Sequence, residues 1–196
     1  MLYTGKGDKG TTQVFGCDQR FSKNSAVANA LGSVDELNSF LGLCKVKAQE
    51  QKFVLNEHSV ADILDAVQQQ LFVIQAQLAG ADKQLADSAV RTVETIIGEI
   101  EQQLPPIRSF FVSGGTELGA LFDVARTIAR RAERAVVAYY LEGDTATVPY
   151  GQDPTQKGIE THQTVLAYAN RLSSLLYALA RLANHQAGII EAAPHY

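Results

Sequence analysis

The stretch from Val124 to Val137 reads VARTIARRAERAVV and concentrates Arg126, Arg130, Arg131, Glu133 and Arg134. Arginine presents a planar, permanently charged fork that can hold two phosphate oxygens at once. On a helix of 3.6 residues per turn, Arg126, Arg130, Glu133 and Arg134 fall within an arc of roughly 100°. Leu118, Leu121, Ala125, Ile128, Ala129, Ala132 and Val136 fall on the neighbouring apolar face. A basic stripe beside a core stripe suits a triphosphate, with Glu133 orienting an arginine or a ligand hydroxyl. It equally suits a solvated helix face with i, i+4 ion pairs, each contributing only ~0.2–0.5 kcal/mol.

A second anion-binding candidate is the amino-terminal TGKGDKGTT, residues 4–12. Glycines let successive backbone N–H groups converge on an oxyanion, and Lys6, Thr11 and Thr12 add side-chain donors. Lys23 extends the basic lining. The spacing of Gly5, Gly7 and Gly10 does not match a Walker A loop, which needs GxxxxGK[ST] between a strand and a helix. In GSVDELNSFLG, Asp35 and Glu36 lie between Val34 and Leu37, so one carboxylate sits near the edge of a buried stripe and needs a partner. Arg126 is a reasonable counter-ion. Asn170 opens NRLSSLLY and could hydrogen-bond an adenine, ribose or phosphate group, although packing is the commoner role for such a residue. Phe110 and Phe111 precede Ser113, Gly114 and Gly115 on a loop, where they either pack on the core, the commoner outcome, or meet a large flat ligand. None of His58, His162, His185 and His195 forms an ExxH pair, which argues against a di-iron centre of the ferritin type.

The elements that must position these groups are helices. Leu31, Val34, Leu37, Asn38, Leu41 and Cys44 recur at helical spacing and predict a helix over about 26–47. Ile63, Val67, Leu71, Ile74 and Leu78 predict a second over 60–79, and a third spans about 87–104, ended by Pro105 and Pro106. These two carry no chemistry. The arginine-bearing helix is expected over 117–141 and a last one over about 159–185, with Leu166, Ala169, Leu172, Leu176, Leu179 and Ala183 on its apolar face. Residues 1–25 read as an ordered or orderable loop, and 142–158 as a polar insertion, a lid or a disordered segment. No alternating pattern long enough for a strand competes with these helices. The fold class is therefore all-α, a single domain over 1–196 with a bundle of five helices over 26–190.

Composition narrows the function. With 196 residues, 46% hydrophobic and 19% charged, the chain can bury one substantial core. Seventeen basic against 21 acidic residues give a net charge of −4 without a basic run, which disfavours nucleic acid as a partner. Cys17 and Cys44 show neither CxxC spacing nor a disulfide framework, in keeping with a reducing cytosol. No apolar leader and no membrane-spanning run is evident, so a soluble cytoplasmic protein is expected.

Six motifs in order resemble the PduO-type family of ATP:cob(I)alamin adenosyltransferases: YTGKGDKGTT, Lys23, GSVDELNSFLG, FFVSGGT, ARTIARRAER and NRLSSLLY. The resemblance reaches both ends of the chain, and residues 50–104 add only helical character to it. It implies an all-α homotrimer in which ATP and cobalamin meet between adjacent subunits. Thr4, Gly5, Lys6, Gly7, Thr12 and Lys23 would wrap the triphosphate with Mg²⁺, and Arg130, Glu133, Arg134 and Asn170 would complete the nucleotide site. Asp35 and Arg126 match an intersubunit ion pair beside the corrin. Phe110 matches the aromatic residue that occupies the corrin's lower face and displaces its axial base. Cob(I)alamin is itself the nucleophile, attacking the 5′ carbon of ATP and expelling triphosphate, so no metal-ligating set and no side-chain nucleophile is required. A flavin-dependent reductase and an adenosylcobalamin-dependent enzyme are the implied partners. Ser113, Ser174 and Tyr177 depart from the family's proline, aspartate and phenylalanine, and the segment 142–158 is longer than its counterpart. A regulator or cofactor-delivery chaperone that binds ATP or adenosylcobalamin with little turnover is the alternative.

Overall fold

The computed structural model describes residues 3–14, 19–144 and 162–195. Five helices make the body: α1 (Ala26–Glu50), α2 (Val60–Leu78), α3 (Asp87–Glu101), α4 (Glu117–Asp144) and α5 (Gln163–Gln186). The polar insertion expected at 142–158 lies almost wholly outside the described residues. Packing partners order the helices as α2, α1, α4, α5, α3, with α4 at the centre between α1 and α5.

The apolar stripes explain this order. Val34, Leu37, Leu41 and Cys44 of α1, Leu64, Val67, Leu71 and Ile74 of α2, and Phe122, Ala125, Ala129 and Ala132 of α4 all enter one core. Small alanines on α4 and α5 let those helices approach closely, and Leu172, Leu175, Leu176 and Leu179 fill the seam between them. Truncating a fully buried leucine such as Leu41 would cost about 2–5 kcal/mol. Cys44 and Tyr168 are buried in this core, and desolvation pushes the Cys44 thiol up to about 12 and raises the Tyr168 phenol.

Helix α1 starts where Ser25, in extended conformation, accepts a hydrogen bond from the Ala28 N–H, as an N-cap does. Two short antiparallel pairs were not legible as strands. Thr11–Gln13 (β1) pairs with Arg20–Ser22 (β2), and Val54–Leu55 (β3) pairs with His58–Ser59 (β4). Each strand has three residues or fewer, too few for alternation to register. In the second hairpin Asn56 takes φ +54°, the left-handed conformation that asparagine tolerates in tight turns.

Candidate active site

The glycine loop folds back on itself through backbone turns, with Asp8 N–H donating to the Gly5 carbonyl and Gly10 N–H to that of Gly7. Gly5 and Gly10 have φ +65° and +76°, which favour glycine at both turns. Arg20 ties the loop to the hairpin, donating to the carbonyls of Lys6 at 2.7 Å and Thr11 at 2.9 Å and to Thr11 Oγ1 at 2.9 Å. Arg20 is thus a structural arginine that spacing alone did not single out. Lys23 N–H donates to the Gly10 carbonyl, and its ammonium lies over Gly7, where an added Cβ would stand 3.2 Å from Nζ. The loop therefore brings Lys23 to Gly7 and Gly10. Thr12 and Lys23 then share a cleft of about 710 Å³ with Asp35 on α1, walled by Val27, Leu31 and Phe72.

A second cleft of about 790 Å³ lies along α4 and α5 and holds Phe110, Arg126 and Arg130 together with Ser173, Tyr177 and Arg181. Phe110 is 78% exposed, so the commoner outcome, core packing, does not hold for it. Phe111 next to it is half-buried against Arg181, whose guanidinium carbon lies 5.8 Å from its ring centre. On α5, Asn170 Nδ2 donates to Glu133 Oε1 at 2.9 Å, and Arg171 donates to Asn170 Oδ1 at 3.0 Å. Asn170 is thereby registered against the arginine helix despite the long connection between them. Arg134 is exposed beside Glu133.

The arginine stripe divides by role. Arg131, outside the arc shared by the other four residues, pairs with Glu36 of α1. Arg130 and Arg134 pair with no carboxylate among the described residues, and neither do Lys6 and Lys23. A solvated face of i, i+4 ion pairs is therefore not what this helix builds. The expected meeting of Asp35 with Arg126 does not occur within one chain: Asp35 is exposed in the first cleft, and Arg126 lines the second. Of the two acids it is Glu36 that finds an arginine, and neither is buried.

Sequence reasoning missed what holds the second cleft. Asp123 and Arg181 are 4% and 2% exposed and pair at 2.8 Å, and Arg181 also meets Glu191 at 3.0 Å. Asn184, fully buried, accepts from Thr116 N–H and Oγ1 and donates to the Gly114 carbonyl and Glu191. An added Cβ on Gly115 would fall 2.6 Å from Asn184 Oδ1, so this loop glycine makes room for the asparagine. The available signal was an arginine embedded in LARLA and an acid embedded in LFDV, each an ionic residue inside an apolar run.

A five-helix bundle with a glycine-loop cleft and an arginine cleft defines a helical class of anion-binding protein. The family model described as cobalamin adenosyltransferase matches residues 2–183, and the chain belongs to that family. It is 36% identical over 192 residues to a corrinoid adenosyltransferase of Bacillus subtilis, covering 96% of this chain and 89% of that protein. It is 34% identical to the corrinoid adenosyltransferase PduO of Salmonella typhimurium over 96% of this chain but only 52% of that longer protein. Among solved structures, a variant of a PduO-type ATP:corrinoid adenosyltransferase from Lactobacillus reuteri, complexed with cobalamin and ATP, superposes with a TM-score of 0.77. The two share 30% identity and the match covers 99% of this chain and 96% of that one.

Proposed function

We propose that this chain transfers the 5′-deoxyadenosyl group of ATP to the cobalt of cob(I)alamin, at a site closed by two subunits. The observation that carries the reading is the division of unpaired cations between two clefts of one chain. Lys23 reaches from the cleft of Asp35 to Gly7 of the glycine loop, which also carries Lys6, and Arg126 and Arg130 line the other cleft with Phe110. Each cleft alone holds half of what the reaction needs. Apposing the first cleft of one subunit to the second cleft of its neighbour brings Asp35 to Arg126 and completes the site, which favours a closed homotrimer.

In that arrangement Thr4, Gly5, Lys6, Gly7, Thr12 and Lys23 hold the triphosphate through loop N–H groups and ammonium charge. Arg130 and Arg134 neutralise the charge that builds on triphosphate as it leaves, and Glu133 with Asn170 positions the nucleoside. Mg·ATP is the substrate form. Among the described residues no group of three or more His, Cys, Asp or Glu could cage a cation. Mg²⁺ characteristically keeps several waters and is held mainly by substrate phosphates. The exposed Phe110 ring supplies an apolar surface for the corrin's lower face. Exclusion of an axial ligand there favours the four-coordinate cob(II) state, which is easier to reduce. Holding cobalt near the 5′ carbon converts a bimolecular attack into a unimolecular one.

Among the described residues no helix is long and apolar enough to cross a membrane. A cytoplasmic setting, with a flavin-dependent reductase upstream and an adenosylcobalamin-dependent enzyme downstream, fits this chemistry. The test is anaerobic addition of Mg·ATP and purified protein to chemically reduced cob(I)alamin. Catalytic appearance of adenosylcobalamin and triphosphate in equal amounts is expected. Nucleotide binding without either product would replace the transferase with a carrier or regulator.

A further inference from the structure

The segment that presents Phe110 is anchored by buried groups of α4 and α5 and by the chain beyond α5. Gly114 is gripped on both sides: its N–H donates to Asp123 Oδ2 at 3.2 Å and its carbonyl accepts from Asn184 at 2.7 Å. Thr116 is held by Asn184, and Phe111 rests on Arg181. Two further anchors come from the chain beyond α5. Val112 N–H donates to the Ala192 carbonyl at 2.9 Å, and Glu191 accepts from Asn184 at 2.6 Å while pairing with Arg181. Arg181 is thus shared between Asp123 on α4 and Glu191 on the tail, and its Nε has no partner.

We infer that Glu191 is a positioning residue for adenosyl transfer: through Arg181 and Asn184 it fixes the loop that presents Phe110, so docking of the tail sets the geometry at the corrin's lower face. This rests on the reading of Phe110 proposed above. The physical argument is one of shared charge. A buried guanidinium needs its forks filled, and with Glu191 gone Arg181 loses one of its two carboxylates while Asn184 loses one acceptor. Both side chains are free to shift, and they are the ones that hold Gly114, Thr116 and Phe111. Glu191 itself lies behind the loop, with its side chain 13% exposed, and is absent from the lining of the cleft that holds Phe110, Arg126 and Arg130. Its effect on the reaction must therefore pass through the loop.

The experiment compares the full-length protein with Glu191→Ala, Glu191→Gln and Phe110→Ala, each checked for folding by circular dichroism and thermal melting. The readouts are KM for cobalamin, KM for ATP, and the four-coordinate cob(II)alamin signal in the presence of ATP. For Glu191→Ala, KM for cobalamin should rise about tenfold and the four-coordinate signal should fall, because small misplacements of a positioning group are amplified in the rate. KM for ATP should stay within about twofold. Glu191→Gln keeps an acceptor for Asn184 and removes only the charge, so it should lie between wild type and alanine. If the alanine chain does not fold, the glutamine variant decides by the same split. Unchanged corrin kinetics and spectrum in both variants overturn the inference, and so does a loss shared equally by ATP and cobalamin, which marks a merely structural role. An unaltered spectrum in Phe110→Ala removes the reading on which the inference stands, and the inference with it.

Discussion

The two clefts are built in opposite ways. The first is bordered, through Lys23, by a loop of backbone turns that is exposed along Thr4 to Lys6 and held from the side by Arg20 and Lys23. The second rests on long helices and on a buried set of ionic and amide groups, Asp123, Arg181, Asn184 and Glu191. Few buried contacts make a segment easy to reshape around a ligand, whereas several buried pairings hold their groups in place beforehand. Under the proposed function, this difference fits a triphosphate that is wrapped by its loop and a corrin face that is met already in position.

That contrast is broken most directly at Arg130. On the proposed reading Arg130→Ala should lower kcat about 10²- to 10³-fold, since it removes a charge that stabilises the leaving group. Steady-state rates on the folded variant check this, and an unchanged kcat would place the leaving group elsewhere.

Co-expression sharpens the assignment of the two clefts to different subunits. Asp35→Ala and Arg130→Ala should each be inactive alone, yet in the proposed trimer each mixed assembly should regain about one site in three, the one joining an intact first cleft to an intact second one. Failure to complement, with mixed assembly shown by tagged purification, would put both clefts in one active site of one chain.

A smaller effect is expected in the loop. Lys23→Ala should raise KM for ATP about tenfold or more, the worth of a charge-assisted contact, and leave KM for cobalamin nearly unchanged. An equal change in both constants would erase the distinction between a wrapped and a preformed half.

The smallest effect concerns the core beneath both. Cys44 is raised to about 12 by burial, so in the folded protein its thiol stays protonated where the unfolded chain ionises. Between about pH 9 and pH 12 the unfolded state therefore binds fewer protons, and stability falls as pH rises, by up to about 1.4 kcal/mol per pH unit from this group. Denaturant melts at pH 8 and pH 10 check the sign, and Cys44→Ala should flatten the slope. Loss of both clefts in one transition would show that they share this core.

Much of the fold was legible because its signal is periodic. Leu37, Leu41 and Cys44 on α1 and Leu71, Ile74 and Leu78 on α2 announce helices whose apolar faces must meet, and all are buried as expected. The cationic residues could be named from the sequence too, by their density on one helix and around the glycine loop, although that density left a solvated face equally open. Illegible was everything fixed by distance through space. Strands of two or three residues carry no period, and nothing local assigns Arg131 rather than Arg126 to an acid of α1. Phe110 and Phe111 are adjacent and chemically alike, yet one is exposed and the other lies against Arg181.

The sequence by itself determined an all-α bundle, the glycine loop, the basic stripe and the family to which they belong, because each is written in residue type and short-range spacing. Only the tertiary structure decided that Asp35 and Arg126 occupy different clefts, that Asn170 reaches Glu133, and that Glu191 shares Arg181 with Asp123. These pairings join residues far apart in the chain. Which buried charge meets which partner depends on how helices dock, and that is set by the packing of whole faces rather than by any neighbouring residue.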